Sequence, residues 1–265
     1  MLVAQEISYT RQQRFLTREI SMQIPEGAFF TLAGPNGAGK STLLRQLTGA
    51  IQPTHGRVLL KGKDLREWKK LDLALVRGVL SQYTQVAFTL SVLDIVLLGR
   101  YAYGGVETSA KQLQVAEWAL DLVNMTAFAN RNIQTLSGGE QQRVHLARVL
   151  AQIYHPESLE GRYLFLDEPT SSLDIAQQYR MLQVLQQLSV SQGLTVGVIL
   201  HDLNLAARFS DYVFLLKNGR MHTFGTPEQA LQPETISRVF GIPISYVSTN
   251  IKQHNDDLQH QHRTR

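Results

Sequence analysis

Apolar residues in this chain come in short unbroken runs separated by stretches with helical spacing. Ala28-Phe29-Phe30-Thr31-Leu32-Ala33, Tyr163 to Asp167, and Leu194 to Leu200 are strand-length and apolar throughout, the pattern of strands buried on both faces. Val213-Phe214-Leu215-Leu216 reads the same way, and Asn218-Gly219 after it predicts a tight hairpin. Between these runs, Ser41 to Gly49 and Ile175 to Ser191 carry helix-like periodicity. From about Tyr83 to Leu150 the pattern is mainly helical. There Ser91, with Asp94 three residues on, predicts a capping box, and Ser109 is the expected cap of an amphipathic run through Val123 in which Trp118 is a packing residue. The alternation predicts an α/β fold, a mixed sheet with helices on both faces, interrupted by an inserted helical part. Residues 1–265 are expected to form a single domain, with core segments 1–82 and 160–240, a helical subdomain 83–150 and a tail 241–265. Periodicity fades after Gly241, and the tail's His254, His260 and His262 read as part of a solvated segment.

No apolar run approaches the roughly 20 residues needed to cross a bilayer. Arg11, Arg14 and Arg18 precede no apolar run, so neither a secretory signal nor an anchor is expected and the chain reads as cytoplasmic. The chain has no cysteine, which removes disulfides and thiolate metal sites. The formal charge of +4 is spread without a Lys/Arg stripe interleaved with aromatics, so nucleic acid is not the expected ligand.

The strand at Ala28–Ala33 runs into Gly34-Pro35-Asn36-Gly37-Ala38-Gly39-Lys40-Ser41-Thr42, and a helix follows. Glycines at these spacings let successive backbone N–H groups turn toward phosphate oxygens. Lys40 then reaches the outer phosphates of a nucleotide triphosphate, and the Ser41 hydroxyl ligates Mg2+. Average residue frequencies put a chance match in a chain of this length at about 1%. A second apolar strand ends in Asp167-Glu168. Asp167 is placed to hold Mg2+ through its hydration shell, and Glu168 to polarise a water for attack on the γ-phosphate. Leu136-Ser137-Gly138-Gly139-Glu140 precedes a helix expected to begin near Gln141, a second cluster of donors at a positive helix end. His201 stands at the end of the Leu194–Leu200 strand.

Taken together, Gly34 to Thr42, Gln82, Leu136 to Glu140, Tyr163 to Glu168, Ser172-Leu173-Asp174 and His201 resemble the ordered motif set of the ATP-binding-cassette ATPases, over about residues 1–240. The resemblance implies a P-loop NTPase (RecA-like) core with an antiparallel β part and an inserted helical subdomain. It implies that Tyr9 stacks on adenine, that Gln82 senses Mg2+ and the attacking water, and that His201 contacts the γ-phosphate. It further implies a homodimer, with Ser137, Gly138 and Gly139 serving the nucleotide on the other copy's Lys40 loop and Asp174 communicating across the interface. Closing that sandwich would turn binding differences into movement.

A lone cassette without spanning segments resembles the separate ATPase subunit of a bacterial importer, working with two transmembrane permease subunits and, indirectly, a periplasmic substrate-binding protein. That places it on the cytoplasmic face of the inner membrane. Leu97, Tyr101 and Tyr103, within Val86 to Gly105, are candidates for contact with the permease, and intrasubunit packing is the alternative for each. Leu98-Gly99-Arg100-Tyr101 and His201 to Ala207 are similar to the iron-siderophore, haem and vitamin B12 importer class. The long link Ile153 to Arg162 and the run Glu140 to Arg148 resemble the haem importers most, with B12 and ferric siderophore as alternative cargoes. A soluble cassette protein acting on ribosomes or DNA is the competing class. Such proteins usually carry tandem cassettes or long heptad runs, and no repeat or heptad run is visible here. A nucleotide-binding module without turnover is the third reading.

Overall fold

The structure, a computed structural model, describes residues 1–81, 89–104 and 106–247. Strands β1 (Leu2–Arg11) and β2 (Arg14–Ile24) form a hairpin turning at Gln12 and Gln13, both at positive φ. β3 (Phe29–Ala33), α1 (Lys40–Leu47), β4 (His55–Leu60), β5 (Lys63–Asp64), α2 (Lys70–Val76) and β6 (Arg77–Leu80) follow. A helical stretch then contains α3 (Val92–Leu97), a 3-10 segment Leu98–Tyr103, α4 (Ser109–Leu122) and α5 (Gly138–Ile153). The chain returns to strands with β7 (Tyr163–Leu166), α6 (Ile175–Gln192), β8 (Thr195–Ile199), α7 (Leu203–Phe209), β9 (Tyr212–Lys217) and β10 (Arg220–Gly225). It ends with α8 (Pro227–Ala230), α9 (Pro233–Phe240) and a helical turn at 244–247 that buries Val247. The calls on Gln82, the histidine tail and part of Val86 to Gly105 lie outside the described residues.

Among the described residues the strands make two sheets. One is antiparallel, in the order β2-β1-β4-β5; the other is mixed, in the order β10-β9-β3-β8-β7-β6, parallel except for β10. The unbroken apolar runs are explained by burial on both faces of the mixed sheet. Successive residues of one strand feed opposite cores. Phe30, Leu32 and Phe165 pack with Ile7, Ile20, Leu43 and Leu47 between the sheets, whereas Phe29, Leu164 and Leu166 pack with Leu150, Leu182 and Leu185 on the other side. Phe30 sits edge-on to Phe165 at 6.4 Å and to Phe214 at 5.9 Å. Register then levels the strand ends, because Leu32 pairs with Ile199 and Leu166 with Val198. The loops leaving β3, β7 and β8 emerge side by side at the carboxyl edge, where open α/β sheets bind ligands.

The helical stretch packs into the core beneath β6 and β7, and α3 starts with the expected Ser91–Asp94 capping box. Two boundaries differ from expectation. Thr108 rather than Ser109 caps α4, accepting from the Lys111 N–H, because hydrophobic period leaves the start of a helix open by a residue. Helix α5 starts at Gly138 rather than near Gln141, because the Ser137–Glu140 capping box offsets the poor helix propensity of Gly138-Gly139.

The 98–107 segment is fastened to the C-terminal end of α5. Arg100 is 1% exposed; it pairs with both Glu107 oxygens (2.5 and 3.2 Å), donates to the Ala151 carbonyl, and lies 3.5 Å from the Tyr103 ring centre. Tyr103 donates to the Tyr154 carbonyl at 3.2 Å, so it serves packing, while Tyr101 is 82% exposed. Trp118 packs edge-on to Tyr154 at 4.8 Å, as its reading as a packing residue requires. Gly99 lies so close to the Arg148 carbonyl that a methyl group there would overlap it. Gly99→Ala should cost about 1–3 kcal/mol, because the obstacle is helix backbone and cannot rotate away. The check is a lower urea midpoint with an unchanged m-value.

Candidate functional site

The loop between β3 and α1 is shaped by close backbone approaches. Gly39 adopts φ 99°, and a side chain there would strike the Leu16 carbonyl. Gly219 of the β9–β10 turn donates to the Ala38 carbonyl at 3.0 Å and accepts from the Arg18 N–H at 2.7 Å. Three sequence-distant pieces, the β1–β2 hairpin, the glycine loop and the β9–β10 turn, are thus locked together.

Lys40 opens α1 and is 6% exposed. Its Nζ donates to the carbonyls of Gly34 (2.8 Å) and Pro35 (3.1 Å). Burial lowers its pKa, and the nearby charges of Glu168 and Asp167 oppose that shift. Next to it, Ser41 Oγ donates to Asp167 Oδ1 at 3.0 Å. Asp167 stands just past β7, its N–H bonded to the Leu80 carbonyl at 2.9 Å. Burial raises its pKa; the Ser41 hydrogen bond pulls the other way, Glu168 adds to the rise, and Arg45 and Lys40 oppose it. Glu168 has φ 53°, a left-handed backbone uncommon for a glutamate, and its carbonyl accepts from the Ser171 N–H and hydroxyl. Its Oε1 lies 2.8 Å from His201 Nε2. The structure therefore brings Lys40, Ser41, Asp167, Glu168 and His201 together.

Lys40, Ser41, Thr42, Asn36, Gly37, Gly39 and Glu168 line a depression of about 490 Å³. Arg14, Phe15, Leu16, Asn218 and Gly219 complete its wall, and sequence reasoning missed all five as site residues. Asn218-Gly219 gave a turn signal only, and Arg14 to Leu16 gave none, because the contact is made through a long-range backbone approach. Gly34, Pro35 and Ala38 shape the loop without lining the depression, and Tyr9, paired with Thr17 across β1 and β2, is not among the lining residues.

Ser137 and Asp174 also lie outside that wall, as the N-caps of α5 and α6. Ser137 Oγ and its N–H both bond Glu140 Oε2 at 2.7 Å, and these bonds hold the Glu140 pKa down. Asp174 caps α6 by accepting from the Gln177 N–H at 2.8 Å. Gly139 packs against Leu173 and the Ser172 carbonyl, which joins the two helix starts into one surface.

A parallel sheet edge carrying a glycine loop, a buried lysine and paired strand-end carboxylates defines a P-loop nucleotide-binding ATPase. Residues 17–171 match the family model described as ABC transporter, and the chain belongs to that family. It is 42% identical over 245 residues to the hemin import ATP-binding protein HmuV of Escherichia coli O157:H7, covering 92% of this chain and 94% of that one. Among solved structures it resembles an inward-facing metal-chelate type ABC transporter, with TM-score 0.77 and 30% identity over 91% of this chain and 89% of that one. It also resembles the dimeric cassette MJ0796, with TM-score 0.76 and 27% identity over 86% of this chain and 99% of that one; the same cassette is known in a post-hydrolysis state with ADP and Pi. The fold is that of an ABC ATPase, and the chain is an ATP-hydrolysing transport subunit.

The folded chain holds the Asp167 proton to higher pH than the unfolded chain does. Ionising Asp167 therefore costs stability; the cost is absent below the unfolded carboxylate range, about pH 4, and develops as pH rises through the raised folded value. Asp167→Asn should raise the urea midpoint of the free chain at pH 7 relative to wild type. The advantage should shrink as pH falls toward 4, which denaturation at the two pH values checks.

Proposed function

We propose that this chain is the ATPase subunit of a haem importer, acting as a homodimer beneath two permease subunits at the cytoplasmic face of the bacterial inner membrane. The observation that carries the ATPase reading is the convergence of buried Lys40, Ser41–Asp167 and Glu168–His201 at one sheet edge. The haem reading is supported by near full-length identity to a protein named for hemin import. No described helix is long and apolar enough to cross a membrane, and in this reading the cargo path belongs to the permease subunits.

In this reading the site residues divide the work as follows. The loop N–H groups and Lys40 bind the β- and γ-phosphates, with Lys40 exchanging its carbonyl partners for phosphate oxygens. Ser41 and Asp167 are hard oxygen donors 3.0 Å apart, a set that fits Mg2+ completed by waters and phosphate oxygens. Mg2+ bound there supplies neutralisation of charge on those oxygens. Glu168 takes the proton of the attacking water, and His201 orients its carboxylate and faces the γ-phosphate. Gln82 monitors that water, and Ser137, Gly138 and Gly139 close over the nucleotide of the second copy while Asp174 relays its state. The groove beside α3, lined by Leu71, Leu90, Leu97, Leu98 and Tyr101, receives the permease.

Glu168→Gln should lower ATP turnover about 10²–10⁴-fold with ATP binding retained, and should trap a nucleotide-bound dimer. Unchanged turnover removes Glu168 from the role of base; a strictly monomeric trapped form, with the permease present, removes the paired site. Reconstitution with the neighbouring permease should give ATP-dependent uptake of haem. Uptake of B12 or a ferric siderophore in its place reassigns the cargo, and co-purification with ribosomes or DNA without a permease overturns the transport reading.

A further inference from the structure

We propose that Gln152, near the end of α5, is a positioning residue for the reaction: by holding strand β6 at its start, it sets the Asp167 carboxylate beside Ser41. The inference rests on the reading of Ser41 and Asp167 as the Mg2+ donors.

Strand β6 is the outermost of the mixed sheet, and among the described residues β7 is its only ladder partner. The bond from the Asp167 N–H to the Leu80 carbonyl (2.9 Å) closes that ladder. Asp167 stands one residue past the end of β7, so the backbone that carries its carboxylate is held through β6. From Arg77 to Leu80 the strand rises only about 10 Å. A shift at the start of so short a strand reaches its end.

The other side of β6 is held by the last turns of α5. Gly78 lies so close to Val149 and Ile153 that a side chain there would overlap Val149. The Gln152 Nε2 donates to the Arg77 carbonyl at 3.1 Å and to the Ala74 carbonyl at 2.8 Å. Both hydrogens of one amide are thus used, one on the start of the strand and one on a carbonyl that the last turn of α2 leaves without a helical partner. Apolar packing is non-directional and resists sliding along the strand weakly, whereas hydrogen bonds of fixed geometry resist it. Gln152 therefore sets where β6 lies along its own axis.

Helix α2 has a second fastening that does not touch β6. Arg162 donates to the Leu75 carbonyl, the neighbour of the one that Gln152 takes. Losing Arg162 loosens α2 alone, whereas losing Gln152 loosens α2 and β6 together. That difference separates the positioning of Asp167 from ordinary support of the fold.

The test uses the full chain and measures the Mg2+ concentration for half-maximal ATP turnover at saturating ATP, alongside the urea midpoint. Gln152→Glu keeps the size of the side chain and removes both donors; Gln152→Met removes them without adding a charge. Each should raise the Mg2+ requirement about tenfold, the low end for residues that act on a metal donor through others. Arg162→Met should lower the urea midpoint and leave the Mg2+ requirement unchanged. A wild-type Mg2+ requirement in Gln152→Met overturns the proposal, as does an equal rise in Arg162→Met. Failure of the underlying site reading looks different: Ser41→Ala would then keep the wild-type Mg2+ requirement.

Discussion

Lys40 is a cation withdrawn from water, and the arrangement of the carboxyl edge follows from keeping it there. Two loop carbonyls accept its hydrogens, and the charges of Asp167 and Glu168 offset part of its desolvation. Those carboxylates come from β7, two strands away from β3 in the sheet, and reach Lys40 only because β8 separates and levels the two strands. Strand order, register and loop electrostatics are therefore one constraint. A slip of one residue in β7 would exchange Leu166 and Asp167 between core and site.

Helix α5 carries that constraint outward. Its 16 residues span about 24 Å, with the Ser137 capping box at one end and the Arg100, Gly99 and Tyr103 attachments at the other. A helix held by hydrogen bonds and packing at both ends moves as a body. A displacement of the groove beside α3 would then reach the Ser137 surface without a flexible joint inside α5. The pair of buried Arg100 with half-buried Glu107 suits such an attachment, because removing Glu107 would strand the Arg100 charge and the pairing geometry is directional.

Much of this was legible in the sequence because it is local. Buried strands announce themselves as unbroken apolar runs, the Gly34 to Thr42 loop is contiguous, Asp167 and Glu168 end a strand, and the Ser91–Asp94 cap spans three residues. What stayed hidden depends on distance. Phe15 becomes a wall of the depression only because the Leu16 carbonyl meets Gly39 and the β9–β10 turn, contacts made across 23 and about 200 residues of chain that no short window contains. Thr108 and Gly138 were missed for a smaller reason: adjacent hydroxyl residues, and a pair of glycines, blur where a capped helix begins.

The strained and desolvated groups share one logic. Asp167 is held toward its protonated form by burial, Lys40 toward its neutral form, and Glu168 occupies a backbone region few glutamates adopt. Each costs the free chain stability. A polyanion at the loop would favour charged Lys40, and a divalent cation beside Ser41 would favour ionised Asp167, so each ligand would relieve a penalty carried by its neighbour. By linkage the relief is mutual: whatever nucleotide phosphates gain from the cation, the cation gains from the phosphates. The stability given up at this edge thus becomes coupling between the two ligands, which is what a cycle of binding and release requires.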